Sequence, residues 1–231
     1  MKNYIKPPEP EEIKALLAGA GGVIKMMTVA PEICNRGIIK LLIDNGVVVA
    51  AGHSNATFSE AMKGYEWGIS TTTHLFNAMS QMHHRDPGLP GAAFQSEKAF
   101  GSIIVDGLHV NYNVVSIAKK LMKERLFLIS DAVEQNLKGV YQHVRQTDRF
   151  TLPDGTLSGS LLTMLKAVKN SVEHVGISLD EALRMASAYP ARLMKMHDKG
   201  RIEAGYKADL VLFNKDYEVR MVCIDGEIKS F

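Results

Sequence analysis

The chain has 231 residues, of which 46% are hydrophobic and 23% charged, with a formal net charge of +2. That length fits one domain, or one with a small appendage, of ordinary soluble globular composition. No basic stripe or arginine-rich run supports nucleic-acid binding, and the longest apolar runs, such as GVVVAAG, are too short to span a bilayer.

In chain order, the N-terminal MKNYIKPPEPEEIK is polar and proline-rich, unlike a signal peptide. PEPEEIKALLAGAGG predicts a helix from Glu9 closed by glycines. VIKMMTVAPE predicts a strand ending near Pro31. RGIIKLLIDNG is a helix stopped by Asn45-Gly46. VVVAAGH is a strand, and TFSEAMKGYEWG a helix with Thr57 as N-cap and Glu60 completing a capping box. STTTHLF and GSIIVDGLH are strands, NVVSIAKKLMKER a helix and LFLISDA a further strand. Apolar runs separated by amphipathic helices predict a parallel sheet. Beyond Asp131 the rhythm breaks. Residues 134–160 read as a loop or hairpin excursion with an Asp154-Gly155 turn. Helices are predicted over Ser160–Val175 and Leu179–Ser187, with Ser160 as a cap. Tyr189-Pro190 leads into a shorter one that ends before Gly200. The tail from Lys207 to Phe231 predicts short strands with an Asp225-Gly226 turn. Cys34 and Cys223 lack a partner motif and read as packing thiols, which suits a reducing cytoplasm.

Strands starting near Val23, Val47, Ser70, Gly101 and Leu126 do not close an eight-stranded barrel, which takes about 250 residues. The alternatives are an open α/β sheet or the C-terminal part of something longer. The lack of an opening strand and the unpartnered tail favour the second. The predicted fold is therefore α/β: a partial (β/α)8 barrel of about the last five βα units over residues 1–205. Residues 206–231 are then the β tail of a small β-sandwich subdomain. Open edges near Val23 and Leu126 would template association, so oligomerisation or rearrangement is expected of the chain alone.

His53 and His74 each fall at the C-terminal end of a predicted strand, and Asp131 holds the equivalent place on a third. In a barrel those ends converge on one mouth. Two imidazoles and a carboxylate there are what a hydrolytic metal site requires. A divalent metal, zinc by its affinity for neutral imidazole, lowers the pKa of bound water from about 15.7 to about 7. A nearby carboxylate can take that proton and pass it to a leaving amine. His83 and His84, adjacent in a loop, read as surface residues, and Asp106 as the organiser of the turn before His109.

The segments GHSNATFSEAMKGYEWGISTTTHLFNAM, RDPGLPGAA, DGLHV, ISDAV and DGTLSGSLLTM resemble the N-acetylglucosamine-6-phosphate deacetylases, a family of the amidohydrolase superfamily. The resemblance runs from about Val23 to the end, where GRIEAGYKADLVLFNKD resembles the superfamily's usual close. It implies that His53 and His74 bind the metal and that Asp131 is the catalytic aspartate. It further implies that His109 contacts the sugar, and that Asn77 and Ala78 hold the phosphate. Arg85 would reach the phosphate across a homodimer interface, where its planar fork suits that anion. The family's His-x-His element and its glutamate metal ligand, both upstream, have no counterpart here. The implied reaction is hydrolysis of N-acetylglucosamine 6-phosphate to glucosamine 6-phosphate and acetate, in the cytoplasm, with no membrane or nucleic-acid partner. A related amidohydrolase acting on another N-acetylated sugar phosphate, such as the galactosamine epimer, and a non-catalytic remnant are the alternatives.

Overall fold

The computed structural model describes residues 6–139 and 141–230. Helix α1 (Pro10–Gly19) carries proline in its first turn, where the missing N–H costs nothing. Strand β1 (Met26–Val29) and a 3₁₀ turn (Pro31–Ile33) lead to α2 (Arg36–Asp44). Asn35 caps α2 by accepting from the Ile38 N–H, and the helix buries Ile38, Ile39 and Leu42. Each such side chain contributes about 1.5–3 kcal/mol on burial. Strand β2 (Val48–Ala51) is followed by α3 (Phe58–Trp67). The Thr57–Glu60 capping box forms as predicted, and Gly68, at φ 116°, ends that helix. Strand β3 (Thr71–Thr72), α4 (Gly88–Gln95), β4 (Phe100–Ile104), α5 (Tyr112–Met122) and β5 (Leu126–Ile129) complete this part.

These strands form a five-stranded sheet in the order β1-β2-β3-β4-β5. The register is parallel from β1 to β4, with Val29 opposite Ala51, Ala51 opposite Thr72 and Thr72 opposite Gly101. Four of the five strands fall within their predicted segments, and β4 begins at Phe100, one residue before its predicted start. STTTHLF, however, holds its ladder only at Thr71 and Thr72 before the chain turns. Helix α4 was not anticipated, because GLPGAAFQ is rich in glycine and proline. It forms because Gly88 through Ala93 are all buried, so packing overrides weak local propensity.

The excursion after Asp131 is a three-stranded antiparallel sheet of β6 (Val144–Arg145), β7 (Arg149–Thr151) and β8 (Leu157–Ser160). Asp154 turns the chain between β7 and β8 by accepting from the Thr156 N–H. The expected cap at Ser160 is corrected: Ser160 ends β8, and α6 (Met164–Glu173) is capped by Thr163, which accepts from the Lys166 N–H. The Ser160 hydroxyl instead donates to the Ser130 carbonyl and accepts from the Leu162 N–H. Helices α7 (Leu179–Ala186) and α8 (Ala188–Leu193) follow. The tail sheet has β9 (Leu210–Phe213), β10 (Val219–Ile224) and β11 (Glu227–Ser230), in the order β11-β10-β9. Asp225 and Gly226 both take positive φ, 48° and 87°, as a tight primed hairpin turn requires.

The chain divides into two compact units. One runs up to Ile103 and includes Lys120–Leu126; the other comprises Ile104–Lys119 and the residues from Phe127 onward. Among the described residues no helix is long and apolar enough to cross a membrane. Cys34 and Cys223 are both buried free thiols, in keeping with a packing role. Burial, and then the charge of Glu32, push the Cys34 thiol up to about 11.

Candidate metal and substrate site

Strands β2, β3 and β5 end at Ala51, Thr72 and Ile129. His53, His74 and Asp131 are therefore each the second residue past a strand. All three take left-handed backbone conformations, with φ of 48°, 31° and 48°. Such a residue carries strain of about 1–3 kcal/mol and persists only where its surroundings fix it, which is commonest at functional sites.

In the first unit, the parallel pairing of Ala51 with Thr72 brings His53 and His74 side by side. Their rings meet edge to face, with centroids 4.7 Å apart and planes at 75°. The two Nε2 atoms lie 2.9 Å apart. His74 is buried and His53 is exposed, so the pair opens to solvent on one side. A glycine precedes His53 for a steric reason. A Cβ on Gly52 would stand 3.0 Å from Thr73 Cβ and 3.1 Å from Thr28 Cγ2, so a side chain there would fit only if these neighbours gave way by a few tenths of an ångström. The His74 N–H donates to the Ser102 hydroxyl at 2.8 Å, which ties the residue to β4.

The loops beyond the two histidines are stitched together. Ser54 N–H donates to the Ala78 carbonyl at 3.1 Å, and Ser80 N–H to the Ser54 carbonyl at 2.9 Å. The Ser80 hydroxyl donates to the Ala56 carbonyl at 2.7 Å and accepts from the Leu89 N–H at 2.9 Å. Asn77 folds back on its own turn: its N–H donates to the His74 carbonyl at 2.9 Å. Its side-chain amide faces the His74 and Leu75 carbonyls at 3.4 and 3.3 Å. Ala78 is exposed at φ 47°. Arg85 sits on the exposed loop after Met82, beside His83 and His84, whose rings are 4.1 Å apart.

The second unit holds Asp106, His109 and Asp131. His109 Nδ1 lies 2.5 Å from Asp106 Oδ2, with side-chain exposures of only 5% and 9%. Asp106 Oδ1 also accepts from the Leu108 and His109 N–H groups, at 2.9 and 2.8 Å. Burial by itself would raise this carboxyl's pKa. The hydrogen bonds from the His109 ring and the two N–H groups outweigh that and hold it below the ordinary value. A carboxylate at this distance puts the ring proton on Nδ1 and leaves Nε2 as the outward nitrogen. Asp106 thus orders its turn as expected and fixes a tautomer as well. Asp131 is exposed, and its carbonyl accepts from the Ser160 N–H at 3.0 Å.

Two imidazoles whose Nε2 atoms face one another fit part of a zinc site, because zinc takes neutral ring nitrogens. They amount to two of the three protein ligands that a catalytic zinc normally takes. Among the described residues no three His, Cys, Asp or Glu side chains form a metal-holding group. Glu32 and Ser102 went unread in the sequence, since each acts by accepting a hydrogen bond from a residue far away in the chain. The one local signal was the place of Glu32 just past β1.

Residues 3–229 match the amidohydrolase family. The chain is 34% identical to N-acetylglucosamine-6-phosphate deacetylase of Lysinibacillus sphaericus, over 98% of this chain and 61% of that protein. It is also 34% identical to N-acetylgalactosamine-6-phosphate deacetylase of a Shewanella species, over 89% of this chain and 54% of that protein. Among solved structures, N-acetylglucosamine-6-phosphate deacetylase from Pasteurella multocida superposes with a TM-score of 0.94 at 35% identity. It covers 100% of this chain and 63% of that one. The chain thus spans 54% to 63% of the length of these relatives.

Proposed function

The chain belongs to the amidohydrolase family, and from that premise we propose that it carries the C-terminal part of a metal-dependent deacetylase of amino-sugar phosphates. The substrate is N-acetylglucosamine 6-phosphate, and the products are glucosamine 6-phosphate and acetate. The observation that carries this reading is the His53–His74 pair. It is aligned by the β2–β3 register within a chain that is similar over nearly its whole length to deacetylases of that name. The galactosamine epimer is the second reading, favoured by the Shewanella relative. Residues 206–231 belong, on this proposal, to a small β subdomain.

His53 and His74 would hold the metal through Nε2. When bound, the metal supplies Lewis-acid activation of water and of the amide carbonyl. Asp131 accepts the water's proton and returns it to the departing amine nitrogen, so one carboxylate serves as base and then acid. His109, with Nδ1–H held by Asp106, offers Nε2 as an acceptor to a sugar hydroxyl. The main chain around Asn77 and Ala78 and the Arg85 guanidinium take the phosphate, with Arg85 acting across a homodimer.

Acetate release from N-acetylglucosamine 6-phosphate tests the proposal. It is measured with the chain as it stands and with the chain joined to the N-terminal portion of a relative. Turnover in the joined protein supports the proposal. No turnover with either epimer, in a folded joined protein loaded with zinc, contradicts it.

A further inference from the structure

We infer that Glu32 is a positioning residue: a half-buried carboxylate clamp that holds the His53 loop so that the two imidazole nitrogens stay face to face. The inference deepens the reading of His53 and His74 as a metal pair. Glu32 lies in the 3₁₀ turn just past β1, far from His53 in sequence. Its Oε2 accepts from the Ser54 hydroxyl at 2.6 Å and its Oε1 from the Asn55 N–H at 2.7 Å. Both carboxylate oxygens are therefore spent on the two residues that follow His53. Charge-assisted bonds of this length are the strong kind.

The clamp has consequences beyond Ser54. The Ser54 hydroxyl, having donated to Glu32, accepts from the Ala56 N–H at 3.0 Å. Ser54 is 3% exposed, and its backbone N–H and carbonyl bond the Ala78 and Ser80 segment beyond His74. One carboxylate thus fixes the loop after His53 directly and the loop after His74 through Ser54. His53 needs such a constraint, since its φ of 48° does not persist unsupported in a residue with a side chain.

Supporting partners of metal-binding residues typically change metal affinity by about 10- to 100-fold when removed. Glu32→Gln keeps a carbonyl for the Ser54 hydroxyl but presents an NH2 to the Asn55 N–H. Glu32→Ala removes both acceptors. Ser54→Ala keeps the charge and loses the relay to Ala56. We expect zinc affinity, by competition with a chromophoric chelator, to fall about 10-fold or more in both Glu32 variants and less in Ser54→Ala. A second readout needs no metal: the imidazole N–H shared between the two Nε2 atoms should give a protected NMR resonance in the parent and lose it in Glu32→Gln. Urea midpoints identify the variants that remain folded, and a loss of general stability alone would not single out that resonance. Zinc affinity within twofold of the parent, with the resonance retained, overturns the inference. If the parent itself takes up no zinc, the metal reading fails, and the resonance alone then decides the clamp.

Discussion

The two histidine stations are built in opposite ways. His109 is locked by a buried carboxylate that occupies one ring nitrogen and dictates the tautomer. His53 and His74 face each other through Nε2, and the Glu32 carboxylate acts on the segment that follows His53, through the Ser54 hydroxyl and the Asn55 N–H. A ring held by a carboxylate has one defined nitrogen to present, which suits recognition of a hydroxyl. Two rings presenting the same nitrogen to one point suit a cation. The chemistry of each station follows from what stands behind the ring more than from the ring itself.

The largest expected effect concerns the residue that shares the left-handed strand-end geometry of the pair without being an imidazole. In a zinc-loaded protein joined to a relative's N-terminal portion, Asp131→Asn should lower acetate release by about 10²- to 10⁴-fold with substrate affinity retained. Activity within about threefold of the parent, far below that range, would leave Asp131 a structural role.

The contrast sharpens at Asp106. Asp106→Asn should cost about 1.5–3 kcal/mol in urea unfolding, the range for hydrogen bonds to a charged group. The pH dependence has a defined sign. The folded carboxyl titrates below its ordinary value, so its contribution is complete above about pH 4 and fades as pH falls through the lower, folded pKa. Unfolding curves between about pH 5 and 2 should therefore converge for parent and variant at the acid end. A constant gap across that window would mean the carboxylate's charge is not what holds the turn.

The strand ends were readable in the sequence because apolar runs that stop at a polar residue mark where a parallel strand leaves the sheet. That placed His53, His74 and Asp131 correctly beyond β2, β3 and β5. The Thr57–Glu60 cap was readable for the same local reason. Glu32 was not, because its partners lie 22 and 23 residues away and no spacing rule links them. Helix α4 was hidden by a glycine- and proline-rich segment whose order comes from tertiary burial. Ser160 was misplaced because a serine preceding an apolar run looks like a cap, whereas the helix waits for Thr163.

The smallest expected effect tests a support remote from the chemistry. Thr57→Ala removes the acceptor for the Glu60 N–H and should cost about 1 kcal/mol of stability. Zinc affinity should stay within twofold, measured on the same samples. A large loss of zinc binding would extend the support of the His53 loop into α3.

Zinc binding by the parent, His53→Ala and His74→Ala chains, measured by equilibrium dialysis, bears most directly on the pair. With two ring ligands the parent should bind zinc weakly. Each substitution should lower affinity by at least about 100-fold, the upper end of what loss of a supporting partner does. Stoichiometric zinc held tightly by both variants would contradict the assignment of these histidines.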